Sequence, residues 1–151
     1  MRLRLGVLAA LAAVVAGLTL AAVAGADGGG RPFTTTLTGA AEVPGPGDPN
    51  ATGTSSLRLN PGQGEVCHET SWADVDGMVF AGHIHVGTAT VAGPVVVTLF
   101  TGSFGGTDDA SACVQADREL IKAIIQNPEN YYVNVHSTVF PGGAVRGQLG
   151  K

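Results

Sequence analysis

Residues Thr52–Trp72, TGTSSLRLNPGQGEVCHETSW, decide how this chain folds. Leu57 and Leu59 alternate with Arg58, and Val66 alternates with Cys67, the two-residue period of strands with one face buried and one exposed. Between the two runs stands Asn60-Pro61-Gly62-Gln63-Gly64, which carries the residue types that tight turns need. The stretch therefore reads as a β-hairpin, Thr52–Leu59 returning as Glu65–Trp72.

The same rhythm continues on both sides. Phe33–Thr38, His83–Val86, Pro94–Phe100, Tyr131–Ser137 and Ala144–Leu149 are further short β-prone runs, separated by clusters of Gly, Pro, Asn and Asp. Such spacing predicts an all-β domain, a sandwich or barrel of short antiparallel strands; the expected form is an Ig-like or superoxide-dismutase-like β-sandwich of about seven to eight strands, the latter likeness resting on residues given below. One segment departs from it. Asp117 through Gln126 places Leu120, Ile121, Ile124 and Ile125 on one helical stripe, with Asp117 as N-cap and Asn127-Pro128 as the stop. A single short connecting helix covering an open end of the core is expected there.

Toward the N-terminus, Arg2 and Arg4 precede an uncharged run from Leu5 to Ala26 that ends in Ala24-Gly25-Ala26. A basic start, an apolar stretch and small residues before Asp27 are the three parts of a secretory signal. Cleavage after Ala26 is expected; a retained membrane anchor is the alternative, since a run of this length can span a bilayer. The chain then divides into a signal at 1–26, a flexible glycine-rich leader at 27–32 and one β domain at 33–151. Without residues 1–26, 125 residues remain, enough for a single core. Six basic residues then stand against 12 acidic ones, a formal charge of −6. That balance argues against nucleic acid and anionic membrane surfaces as partners.

Cys67 and Cys113 are the two cysteines. In an exported chain they are expected to form a disulfide, because the compartment is oxidising and no CxxC or finger-spaced histidine pair accompanies them.

Four motifs follow one another from Leu37 to Leu149: Leu37-Thr38-Gly39-Ala40-Ala41-Glu42-Val43-Pro44; Gly82-His83-Ile84-His85-Val86-Gly87; Gly93-Pro94-Val95-Val96-Val97; and Tyr132-Val133-Asn134-Val135-His136 with Phe140-Pro141-Gly142-Gly143-Ala144-Val145-Arg146-Gly147-Gln148-Leu149. In this order they resemble the CHRD (chordin-type) domain family. Ala144 stands where the family usually carries an acidic residue. The resemblance implies an extracellular module without a settled catalytic activity.

Strand geometry makes an independent point about the histidines. Side chains alternate between faces of a strand, so His83 and His85 project together, opposite Ile84 and Val86. Likewise Tyr132, Asn134 and His136 share the face opposite Tyr131, Val133 and Val135. If the aliphatic faces are core and the two strands are neighbours, the three imidazoles converge on the outer face. Such a set can bind copper or zinc. It can equally be architectural, because a neutral imidazole offers one donor and one acceptor.

A partial resemblance to copper,zinc superoxide dismutase exists in His83, His85, His136 and Arg146. No histidine lies between His85 and Pro94 to serve as that family's bridging ligand. Glu42 and Arg146 are expected to pair and fasten the first strand to the last; alternatively Arg146 faces the histidines and receives an anion.

No Gly-x-Ser-x-Gly elbow or phosphate-binding glycine loop occurs. Asp74 and Asp76, and the pair Asp108-Asp109, lack the further oxygen ligands that calcium requires and read as solvated loops. The expectation is a secreted, non-enzymatic binding module for an extracellular ligand or partner, with His83, His85, Asn134, His136 and Arg146 as its site; a copper- or zinc-binding sandwich on His83, His85 and His136 is the alternative.

Overall fold

The computed structural model describes residues 29–150, so the signal assigned to 1–26 lies outside the described residues. Eight strands are present: β1 (Arg31–Thr38), β2 (Thr52–Asn60), β3 (Glu65–Ala73), β4 (Val79–Val86), β5 (Val95–Phe104), β6 (Asp108–Gln115), β7 (Tyr131–Ser137) and β8 (Val145–Gln148). One helix, α1 (Arg118–Gln126), lies between β6 and β7. The all-β class with a single short helix is as the sequence implies.

The strands form one antiparallel ladder in the order β5-β4-β7-β8-β1-β2-β3-β6. Its two edge strands, β5 and β6, follow one another in the chain through only Gly105–Thr107, so the sheet curls until its edges approach. Trp72 on β3 fills this seam. It stacks on Phe100 at 5.2 Å, meets Phe104 edge-on at 5.5 Å, and donates its indole N–H to the Gly105 carbonyl at 2.9 Å. Gly82 on β4 lets Phe100 lie flat against the sheet, because a Cβ at that position would collide with the Phe100 ring.

The hairpin predicted from Thr52–Trp72 is in place, with Leu57 opposite His68 and Leu59 opposite Val66. Asn60 closes it, its side-chain oxygen accepting from the Gln63 N–H and its amide donating to the Gln63 side chain. Inside, Leu37, Leu59, Val66, Ile84, Val133, Val135 and Val145 are fully buried. The helix begins as expected: the Asp117 carboxylate accepts from the N–H groups of Glu119 and Leu120, both at 2.9 Å. Ile121 and Ile124 are its buried stripe, sealing the core beside β2 and β3.

Three readings need correction. β1 takes in Arg31 and Pro32, paired with Leu59 and Arg58, where the sequence suggested a leader. Strand β4 starts at Val79, four residues before His83. Residues Asp108–Gln115 form a strand, so Asp108 and Asp109 sit at the start of β6 rather than in a loop. Their sequence hides this: an edge strand exposed along most of its length shows no hydrophobic alternation. Cys113 on β6 lies directly opposite Cys67 on β3, and the two are disulfide-bonded.

Candidate functional site

Strands β4, β7 and β8 carry two buried faces, which is why β7 is buried at all seven positions. Val133 and Val135 face the core. On the other side three loops close over the sheet. The 39–51 loop brings Glu42 and is anchored by Asp48, whose N–H donates to the Ala144 carbonyl and whose carboxylate accepts from Asp76 N–H and Asn50 N–H. The 87–94 loop is tied to Asn130 and to the Tyr132 hydroxyl. The 138–144 loop folds back on Ser137 and Val135.

Under these loops the expected convergence is found. β4 and β7 are neighbours, with His83 opposite Asn134, His85 opposite Tyr132, and Ala81 opposite His136. Arg146 on β8 continues the His83–Asn134 row. His83, His85 and His136 each offer a ring nitrogen, all within 4.8 Å of one another. His85 and His136 are each 7% exposed; His83 is half-buried and borders solvent.

The hydrogen bonds decide which nitrogens are available. His85 Nδ1 lies 2.9 Å from the Gly93 carbonyl, and His136 Nδ1 lies 3.0 Å from the Pro141 carbonyl. A carbonyl only accepts, so both Nδ1 atoms carry the proton and both Nε2 atoms carry a lone pair. Those two Nε2 atoms are buried without a partner, as is His83 Nδ1. The backbone bonds thus fix two rings without occupying the faces that meet.

Electrostatics keep the rings neutral. Burial lowers all three from the ordinary histidine value; for His83, burial and then the neighbouring His136 and His85 push it to about 4. Glu42 moves the other way. It is 6% exposed, and burial raises its carboxyl to about 7 in spite of Arg146, the Asn134 side chain and the Val43 backbone, which pull it down.

Arg146 and Glu42, expected from the sequence to pair, attract one another but make no direct ion pair. The guanidinium instead lies 3.4 Å above the Tyr132 ring and donates through Nη2 to the Thr88 carbonyl at 2.8 Å and the Gln148 side chain at 3.3 Å. Its Nη1 is buried and unpartnered. His85 stacks on the same Tyr132 ring at 4.8 Å. Tyr132 and Gln148 were not singled out as site residues, although alternation puts each on the face of His136 or Arg146. The carbonyls of Gly93 and Pro141 have no sequence signal.

His68, the fourth histidine, is elsewhere. It lies in the core, with Nε2 donating to the Leu99 carbonyl at 3.1 Å, Nδ1 accepting from the Thr70 hydroxyl at 3.2 Å, and the ring stacked on Phe100. Both nitrogens are used, the mark of an architectural histidine.

The family model described as CHRD domain matches residues 33–149. The chain belongs to the CHRD domain family. That match takes in β2 to β8 whole and nearly all of β1, and with them every residue of the histidine site. No curated protein and no solved structure matches the chain.

Proposed function

We propose that this CHRD domain is an exported, non-enzymatic binding module whose ligand site is the basin of His83, His85, Asn134, His136 and Arg146. One observation carries the reading. Among the described residues, six side-chain atoms are buried without a hydrogen-bond partner, five in this basin and one on Glu42 beside it: Oε1 of Glu42, Nδ1 of His83, Nε2 of His85, Oδ1 of Asn134, Nε2 of His136 and Nη1 of Arg146. Leaving a buried polar atom unpaired costs about 1–3 kcal/mol, so a cluster of them works against folding unless water or a ligand satisfies it, and a ligand that replaces the water gains those contacts. Acceptors outnumber donors, which suits a ligand that brings positive charge or hydrogen-bond donors. Family membership and the Cys67–Cys113 bridge fit an extracellular setting, as does the signal read at 1–26.

The free module's stability tests this. His83 makes no hydrogen bond with the protein, whereas both nitrogens of His68 are paired. His83→Leu should therefore raise the melting temperature of ligand-free protein by a few degrees, following about 1 kcal/mol of relief. His68→Leu should lower it. A fall in both variants would mean that His83 serves the fold and would remove the basis for a ligand basin.

A further inference from the structure

We infer that the ligand of this basin is a single late transition-metal ion, zinc(II) or copper, held by His83, His85 and His136; the inference rests on the basin being the ligand site. Three observations converge on it. One nitrogen from each ring lies within 4.8 Å of the other two. An ion bound at 2.0–2.1 Å in tetrahedral geometry holds its nitrogens about 3.3 Å apart, so small side-chain rotations close the set.

Second, two of the three rings already hold the tautomer a metal needs. His85 and His136 donate Nδ1–H to the carbonyls of Gly93 and Pro141, the outer partner that metal-bound histidines characteristically have. Their Nε2 lone pairs are therefore presented without a competing proton, in rings less than one-tenth exposed. The two supporting carbonyls come from two different loops, so each ring is held independently of the other.

Third, no hydrogen bond of good geometry within the protein occupies these nitrogens, although the Asn134 side chain lies beside His85. Nε2 of His85, Nε2 of His136 and Nδ1 of His83 are all unpartnered. Three ring nitrogens gathered within 4.8 Å of one another suit a single electron-pair acceptor. Neutral imidazoles without thiolate or carboxylate in the set favour zinc and copper over calcium or magnesium. Three protein ligands leave a further coordination position open, and half-buried His83 lies on the solvent side, where an ion enters.

The test uses the exported protein, stripped with chelator and titrated separately with zinc(II) and copper(II) by calorimetry. In parallel, the imidazole nitrogens of uniformly 15N-labelled protein are followed by NMR. One ion per chain should bind in the micromolar range or tighter, with the resonances of His83, His85 and His136 shifting or broadening and those of His68 unmoved. His136→Gln and His85→Gln should each weaken binding by at least about 100-fold, more than loss of an outer partner does. Circular dichroism and thermal melts confirm that each variant is folded, and the wild-type NMR reading stands if one is not.

Failure of both ions to bind overturns the inference, as does binding that shifts His68 or survives His136→Gln. A methylammonium titration closes the remaining route: saturation of the basin by the amine without metal uptake would assign it to protonated amines instead. Should metal fail to bind while His83→Leu still stabilises the protein, the metal inference falls and the binding-module reading stands.

Discussion

Glu42→Gln isolates the electrostatics of the basin. Glu42 is 6% exposed, its Oε1 has no partner, and its carboxyl is raised from 4.5 to about 7, chiefly by burial. In the unfolded chain the group ionises near 4.5; in the folded protein it holds its proton until about 7. Between those values the folded state binds more protons than the unfolded one, so Glu42 makes stability fall as pH rises, the reverse of a salt-bridged carboxylate. At about 1.4 kcal/mol for each tenfold change in acidity, the full effect above pH 7 is about 3 kcal/mol. Glutamine mimics the protonated acid and carries no such penalty. The variant should match wild type at about pH 4.5, and by about pH 8 melt roughly 10 °C higher.

The histidines tilt the background in the opposite sense. His83, lowered from 6.5 to about 4, contributes stability that is full above 6.5 and lost as pH falls toward 4. Both proteins share that contribution, so the difference between their melting curves reports Glu42 alone. The assay is thermal unfolding of chelator-treated protein across this range, followed by circular dichroism. A difference that does not change with pH would refute the argument. A variant less stable than wild type at about pH 8 would show that the attraction of Arg146 outweighs burial.

Two further outcomes are expected. The Cys67–Cys113 bridge closes a separation of 46 residues and ties edge strand β6 to β3, so the double change to serine should destabilise the domain by about 4 kcal/mol in the chain-entropy treatment, and hydrogen exchange in β6 should accelerate first. Intact mass of the exported protein should correspond to a chain beginning at Asp27, and a mass that includes Met1 would favour the membrane-anchor alternative.

Period-two alternation made the strands legible wherever one face was core. Leu57 and Leu59 flanking Arg58 marked β2, and the turn residues Asn60–Gly64 fixed its pairing with β3. The helix was equally plain, since Asp117 and the isoleucine stripe carry local physics that tertiary context did not override. β6 escaped notice because its residues are small, polar and mostly exposed, and what holds it is the neighbour β3 and the bridge to Cys67. Nor did any local pattern show that β5 and β6 end one continuous ladder, because strand order depends on contacts between residues far apart in sequence.

For the site, alternation alone predicted that His83, His85 and His136 share a face if β4 and β7 are neighbours, and they are. It could not tell whether those rings serve the fold or a ligand, because that choice turns on single atoms. His68 and His85 are both buried histidines on strands, 3% and 7% exposed. The difference between them is that Thr70 and Leu99 occupy both nitrogens of His68, whereas Gly93 occupies only one of His85. Gly93 and Pro141 belong to loops that fold over the sheet and act through backbone carbonyls, a group every residue possesses. The same reasoning explains Arg146. Its expected partner, Glu42, was inferred from opposite charge; the two attract one another without a direct ion pair, and the contacts that hold the guanidinium are the Tyr132 ring and the Thr88 carbonyl. Side chains on the covered face of this sheet are thus oriented by the loop carbonyls that reach them, which is a contact between residues far apart in sequence and leaves no mark in the local pattern.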